Sequence, residues 1–278
     1  DFSLFVGESW WHEFPDSVPI DSFGNPLERD GWYVPVCPNH PQVRSRNLEM
    51  LSALVRHYGE EIDGIWLDFV RYPVRWETKW PNLRQTCFCG NCLNLFLNNR
   101  GRSYSKEETK EYARLITEHR LDEWINWKCD RIVDFVKDVR SLISDAGASI
   151  QVGVFSLPWR QNDYGGAIRS IAGQDLAHLS GHIDVISPMT YHKLCYQPTQ
   201  WIRQVILDVH QWTKKPVLPV VQSLDSPIPM SPSEFGDAIA CAMDIPAAGV
   251  MIFTLEPLLN NASKLEVAID RFRQLQRK

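Results

Sequence analysis

Short apolar runs of strand length alternate with segments of helical periodicity along most of this chain, and few folds tolerate that order. The strand-like runs are Phe2–Gly7, Tyr33–Val36, Gly64–Phe69, Ile150–Phe155, Asp184–Met189, Pro216–Val221 and Gly249–Phe253. Between them, Val43–Tyr58 carries Leu48, Leu51, Leu54 and Val55 at helical spacing. Ser105–Ala146 is a long charged and apolar stretch that opens on a capping box, Ser105 with Glu108. Ser231-Pro-Ser-Glu234 and Ser263-Lys-Leu-Glu266 are further boxes, the former with proline at the first helical position. Strand and helix in alternation imply a parallel sheet with helices outside it.

The expected architecture is α/β, a (β/α)8 barrel over residues 1–278 as a single catalytic domain. A barrel of about 250 residues fits the 278 present. Seven runs fall one short of eight strands, so the first strand is either absent from this chain or Phe2–Gly7 is misassigned. An open doubly wound sheet is the alternative. The barrel is preferred because polar residues follow nearly every run: Glu8, Asn39, Asp68, Tyr191, Gln222 and Glu256, with Trp159 as an aromatic equivalent. A doubly wound sheet would gather them at one crevice.

The run Asp63-Gly-Ile-Trp-Leu-Asp-Phe-Val-Arg-Tyr-Pro73 places a carboxylate, Asp68, where a buried strand passes into a loop. Barrel enzymes put their chemistry there. Asp68 is therefore a catalytic candidate, against the alternative of a structural aspartate that bridges Arg71 or caps a turn. Arg71 and Tyr72 are expected to hold it in the charged form, since a neighbouring guanidinium lowers a carboxyl's pKa. Asp63, at the opposite rim, reads as structural.

Residues 74–103 are too long for an ordinary strand-to-helix connection. They contain Cys87-Phe-Cys-Gly-Asn-Cys92, three thiols able to converge on one ion. Tetrahedral zinc needs a fourth donor, for which Cys37 is the first candidate and His40 the reserve. The alternatives are unligated thiols or a disulfide inside the loop. A filled four-ligand site is closed, so such a zinc would staple loops together rather than catalyse. Cys129, Cys195 and Cys241 read as buried or free thiols.

Cys37-Pro-Asn-His-Pro-Gln-Val-Arg44 and Cys87-Phe-Cys-Gly-Asn-Cys-Leu-Asn-Leu-Phe96 resemble the zinc-cluster segments of the family 42 β-galactosidases. Those enzymes carry C-P-N-S-P-x-x-R and C-Y-C-x-x-C-x-x-x-F, and between them a strand ending in D-N-E. Here the strand end reads Asp68-Phe-Val70, so the family's acid/base glutamate falls on Val70 and that role does not carry over. The D-G-I-x-L-D-x-x-R-Y-P pattern, with Ser187-Pro-Met-Thr-Tyr191, is similar to a group of barrel proteins assigned to sugar hydrolysis by fold and motif. The resemblance implies a (β/α)8 barrel, a structural zinc and a carbohydrate substrate. It does not imply galactose specificity.

Glycosidic cleavage usually takes two carboxyls flanking one bond. Glu256, after the last run, is the first choice to partner Asp68; its alternative role is a cap for the next segment. Glu8 and Glu77 are weaker candidates. Tyr191 is expected to offer a hydroxyl to a sugar. His192 reads first as a packed, satisfied histidine and second as a sugar contact, and Gln222 and Trp159 are further contacts. Trp10, Trp11, Trp76 and Trp80 join Trp159 near strand ends or in loops. Aromatic faces suit sugar rings, although any single tryptophan is more often packing.

Charge and motifs narrow the alternatives. Net charge is -5 and no Lys/Arg block stands out, which excludes nucleic acid as the main partner. No apolar run reaches the length of a membrane span. No serine elbow, phosphate-cradling glycine loop or dinucleotide fingerprint is present, so no organic cofactor is expected. The start at Asp1 rather than methionine points to a trimmed or processed product, with any targeting segment out of view. Three functions remain: a glycoside hydrolase, a non-catalytic carbohydrate-binding barrel, and a zinc-dependent hydrolase.

Overall fold

The structure is a computed structural model that describes residues 1–99 and 101–275. Arg100, inside the expected zinc loop, and residues 276–278 of the expected domain lie outside the described residues. Among the described residues six strands form: β1 (Phe2–Ser3), β2 (Gly64–Asp68), β3 (Gln151–Ser156), β4 (Val185–Pro188), β5 (Val220–Gln222) and β6 (Met251–Phe253). The helices are α1 (Glu8–Glu13), α2 (Pro41–Tyr58), α3 (Gly90–Leu97), α4 (Lys106–His119), α5 (Leu121–Asp145), α6 (Ala167–Ser170) and α7 (Leu176–Leu179). They continue with α8 (Gln200–Thr213), α9 (Pro232–Ala242), α10 (Leu255–Leu259) and α11 (Ala262–Leu275).

The chain divides into two compact units, the first of residues 1–74, 82–154 and 166–183, the second of 75–81, 155–165 and 184–278. In the first, β1 pairs with β2 in parallel, Ser3 opposite Asp68, and β2 pairs with β3 in parallel from Gly64 opposite Gln151. β2 alternates in burial: Ile65 and Leu67 are buried, while Gly64, Trp66 and Asp68 are half-buried on the other face. That period of two puts Asp68 on the face that carries Trp66. The Trp66 indole lies over Gly153, where an added Cβ would sit 2.4 Å from two ring atoms. Gly153→Ala is therefore expected to cost about 1–3 kcal/mol through overpacking, measurable by urea unfolding. Helices α2 and α5 pack together, with Arg44 donating to the Arg131 carbonyl at 3.1 Å and pairing with Asp138. Phe5 and Phe135 meet edge-on at 5.0 Å.

In the second unit, Met189 N–H donates to the Ser156 carbonyl, and Leu218 N–H to that of Ile186. Val220 to Gln222 then pair in parallel with Met251 to Phe253. Helix α9 packs against α11 through Gly236, where an added Cβ would meet Val267 at 2.8 Å.

Several sequence expectations need correction. Tyr33–Val36 is not a strand: Pro35 has no N–H to give a ladder, and the segment makes isolated bridges, Val6–Pro35 and Asp30–Tyr33, with Gly7 N–H bonded to Val34 and Val36 N–H to Phe5. β1 stops at Ser3, and β5 begins only at Val220, after Pro216 and Pro219. The stretch Ser105–Ala146 is two helices that break at Arg120, whose φ of -137° leaves the helical region. The Ser105 box closes as expected, at 3.1 and 2.8 Å. At Ser231 only half of the box forms, because Glu234 is drawn to Lys193 at 2.8 Å. Asn261, not Ser263, caps α11, accepting from Lys264 N–H at 3.1 Å.

Candidate functional site

Asp68 ends β2, and its Oδ1 accepts the N–H of Phe69 at 2.7 Å. Burial raises its pKa above the ordinary carboxyl value; the nearby Arg71 and the Phe69 N–H pull it down but do not prevail. Arg71 acts on Asp68 in the expected sense, but burial outweighs it and sets the net direction. A raised pKa moves a carboxyl toward the range suited to protonate a leaving oxygen. The same shift carries a stability consequence. Between the unfolded and folded pKa values the native state binds more protons than the unfolded state, so stability falls as pH rises through that window. Asp68→Asn should remove the loss and raise Tm relative to wild type above the window, with no gain below it, as read by calorimetry at several pH values.

Phe69 adopts a φ of 54°, in the left-handed region that bulky side chains avoid. The conformation brings its ring beneath the Arg71 guanidinium at 4.5 Å, and Tyr33 stacks on the same ring at 5.9 Å. Trp32 packs edge-on against it at 6.1 Å while remaining 59% exposed. Arg71 itself is only 4% exposed, and its Nε and Nη1 have no hydrogen-bond partner. Trp32, Tyr33 and Phe69 were absent from the sequence candidates. Gly31-Trp32-Tyr33 could have been noticed as an aromatic turn, but nothing in the sequence places it beside residue 69.

Tyr72 does not serve a substrate surface. It is fully buried, its hydroxyl accepts from Asn39 at 2.7 Å, and Lys128 Nζ lies 5.0 Å from its ring centroid. Lys128 is also fully buried and donates to Gln85, Ser170 and Ile171 oxygens at 2.8–3.1 Å. Burial lowers its pKa to about 7, although three acceptors favour the charged form, and we assign it the cation on that ground.

Cys37, Cys87, Cys89 and Cys92 converge, with all four sulfurs within 4.8 Å of one another and all four residues buried. The Cys37 sulfur is 3.5 Å from that of Cys92 and 3.8 Å from that of Cys89. Ligands at about 2.3 Å around a tetrahedral ion stand about 3.8 Å apart, so the donor set fits one metal ion. Cys89 directly precedes α3 and Cys92 lies in its first turn, so the helix presents both thiols. Asn39 and the Ile20 N–H each donate to a sulfur, at 3.3 and 3.4 Å. Hydrogen bonds from Cys37 and the other thiols hold Cys89 well below the usual thiol range. His40 is not a ligand here: its Nδ1 accepts from Val43 at the start of α2, and its Nε2 faces Asp16.

In the second unit, Trp76, Tyr191 and Phe253 stack in series, at 5.5 and 5.1 Å between centroids. Phe253, 40% exposed, is the outermost ring. His192 is fully buried and faces Glu234 at 3.3 Å, and burial lowers its pKa against the pull of that carboxylate. Gln222 has no amide group to spare for a sugar: it accepts from Leu194 N–H and donates to the Leu224 and Ser226 carbonyls. Trp159 is buried and meets Tyr164 edge-on at 5.1 Å. Glu77 pairs with Arg75 at 2.6 Å, and in the first unit Glu8 pairs with Arg29 at 3.1 Å. Glu256 does not end a strand. It lies exposed in the first turn of α10, because β6 stops at Phe253.

Solved structures share this fold at low identity. The glycoside hydrolase domain of PgaB (BpsB) from Bordetella bronchiseptica aligns with a TM-score of 0.65 and 16% identity, over 92% of this chain and 68% of that one. The catalytic domain of β-amylase from Paenibacillus polymyxa aligns at 0.61 and 12%, over 93% and 74%. Gan42B, a family 42 β-galactosidase from G. stearothermophilus, aligns at 0.53 and 12% over 89% of this chain, which spans 39% of its length. No curated protein matches the chain in sequence. A family model described as "Putative glycosyl hydrolase domain" matches residues 24–226. With parallel strands, helices and a half-buried strand-end carboxyl within that span, the chain belongs to this glycosyl hydrolase domain family.

Proposed function

We propose that the protein hydrolyses O-glycosidic bonds in an oligo- or polysaccharide, with Asp68 as the proton donor. The observation that carries this reading is the half-buried carboxyl at the end of β2, whose pKa desolvation raises. Asp68 would protonate the oxygen that leaves the anomeric carbon, and a second carboxylate would attack that carbon or activate water. Glu256 remains the proposed second carboxylate on its position after the last strand-like run. Glu8 and Glu77 are weaker, since each is already engaged by an arginine, Arg29 and Arg75. Trp32, Phe69 and Tyr33 would offer aromatic surface beside the acid, and Tyr191 a subsite wall with Trp76 and Phe253. The finer form of the fold is a closed (β/α)8 barrel as one catalytic domain, which the coverage by barrel hydrolases supports.

The cysteine cluster is proposed to hold a structural zinc. Four thiolates leave no position for water, which speaks against zinc as the hydrolytic reagent. A non-catalytic carbohydrate binder is the second reading, favoured by Val70 where the β-galactosidases carry their glutamate and by the exposed, helical placement of Glu256. Incubation of wild type and Asp68→Asn with a panel of defined glycans separates the two. Product from wild type alone supports hydrolysis, and saturable binding with no product from either favours the binder. Among the described residues no helix is long and apolar enough to cross a membrane.

A further inference from the structure

We propose that a cleft of about 160 Å³ in the second unit is a sugar subsite for one gluco-configured hexose of the glycan, walled by Trp76, Trp159, Tyr164 and Trp201. The inference rests on the reading that this protein acts on glycans. The cleft's volume corresponds to about five water molecules of liquid, suited to a single sugar ring.

Three observations argue for a built site rather than a packing gap. The first is Tyr164. It adopts φ 51° and ψ 38°, a conformation that costs a non-glycine residue about 1–3 kcal/mol. The strain is held by its neighbours. Arg160 N–H and guanidinium both bond Asp163, at 2.9 Å, and Gln161 N–H bonds Asp208 at 2.8 Å. The result is a phenol ring 43% exposed, set edge-on to buried Trp159. A core packing role would not leave that ring in water.

The second is the polar rim. Gln204 lies one turn after Trp201 on α8, the spacing that brings two side chains to one face. Gln197 also lines the cleft. Both can donate and accept, as vicinal hydroxyls require.

The third is charge. The lining charges, Arg160 and Asp163, neutralise each other. Burial pushes the Cys195 thiol up, so it stays neutral. The exposed Tyr164 ring and the neutral amides suit an uncharged polyol over a phosphate or a carboxylate. Trp76, Trp159 and Trp201 form the buried floor, and the exposed Tyr164 ring is the face on which a hexose with every substituent equatorial can lay its C–H groups.

The test uses the full chain in the Asp68→Asn background, so that ligand is not consumed. Cellohexaose and chitohexaose are titrated by tryptophan fluorescence and calorimetry, with mannohexaose, whose 2-hydroxyl is axial, as the contrast. Tyr164→Gly removes the ring, and glycine accepts the left-handed backbone without strain, so the variant should retain or gain Tm. The expected result is saturable quenching by a gluco-configured hexaose and roughly fivefold or greater weakening in Tyr164→Gly and Gln204→Ala. Unchanged affinity in both variants, or no binding of either gluco-configured hexaose, overturns the subsite. Equal binding of mannohexaose overturns the gluco assignment. The two readings fail separately. Wild-type cleavage of a hexaose with an unaltered KM in Tyr164→Gly sinks the subsite and leaves the hydrolase. Binding lost in Tyr164→Gly while no glycan is ever cleaved sinks the hydrolase and leaves the subsite.

Discussion

Asp68→Asn is expected to lower kcat on an unactivated glycan by about 10²–10⁴-fold, the usual contribution of a positioned general acid. The loss should depend on the leaving group. A 2,4-dinitrophenyl glycoside departs as a stable phenolate and needs no proton, so the variant should turn it over much nearer to the wild-type rate. The raised pKa of Asp68 adds a second signature. The donor must be protonated to act, so wild-type activity should decline with rising pH on a limb set by Asp68, at higher pH than an ordinary carboxyl would give. An equal loss on both kinds of substrate would instead assign Asp68 to nucleophilic attack, or to holding the strand end in place.

Removal of metal from the cysteine cluster is expected to have the second-largest effect, on stability rather than on chemistry. If free zinc stands a thousandfold above its Kd, binding contributes about 4 kcal/mol. A strong chelator should then lower Tm by roughly 8–12 °C. Cys92→Ser should do the same without chelator, because it removes one of four donors and leaves the Asn39 amide without its sulfur acceptor. Metal analysis should find about one zinc per chain in wild type. Activity measured below the new Tm should survive. If activity vanished while Tm held, the metal would belong to the reaction and the structural role would be wrong.

The general architecture was readable because periodicity reports burial directly. The β2 run and α2 stand close to where the alternation and the 3.6-residue period put them, and the thiol spacing together with Cys37 anticipated the cluster. What could not be read was decided partly by local backbone and partly by contacts distant in sequence. Pro35 removed a strand, and Arg120 broke a helix. Gln222 was a plausible sugar contact by position and Tyr72 a plausible neighbour for Asp68, yet their polar atoms are taken by a backbone loop and by Asn39. The Asp68 pKa turned on the balance between burial and Arg71. Sequence shows that the arginine is a neighbour, but not how much water the carboxyl loses. Trp32 lies 36 residues before Asp68, and only the fold brings its ring to Phe69.

Hydrolysis itself is tested most directly by incubating wild-type protein with defined glycans in water enriched in the heavy oxygen isotope and following the products by mass spectrometry. The account predicts shorter oligosaccharides that carry one heavy oxygen at the newly formed reducing end, and none from Asp68→Asn. Saturable binding of those glycans with no labelled product from the wild-type protein would contradict it.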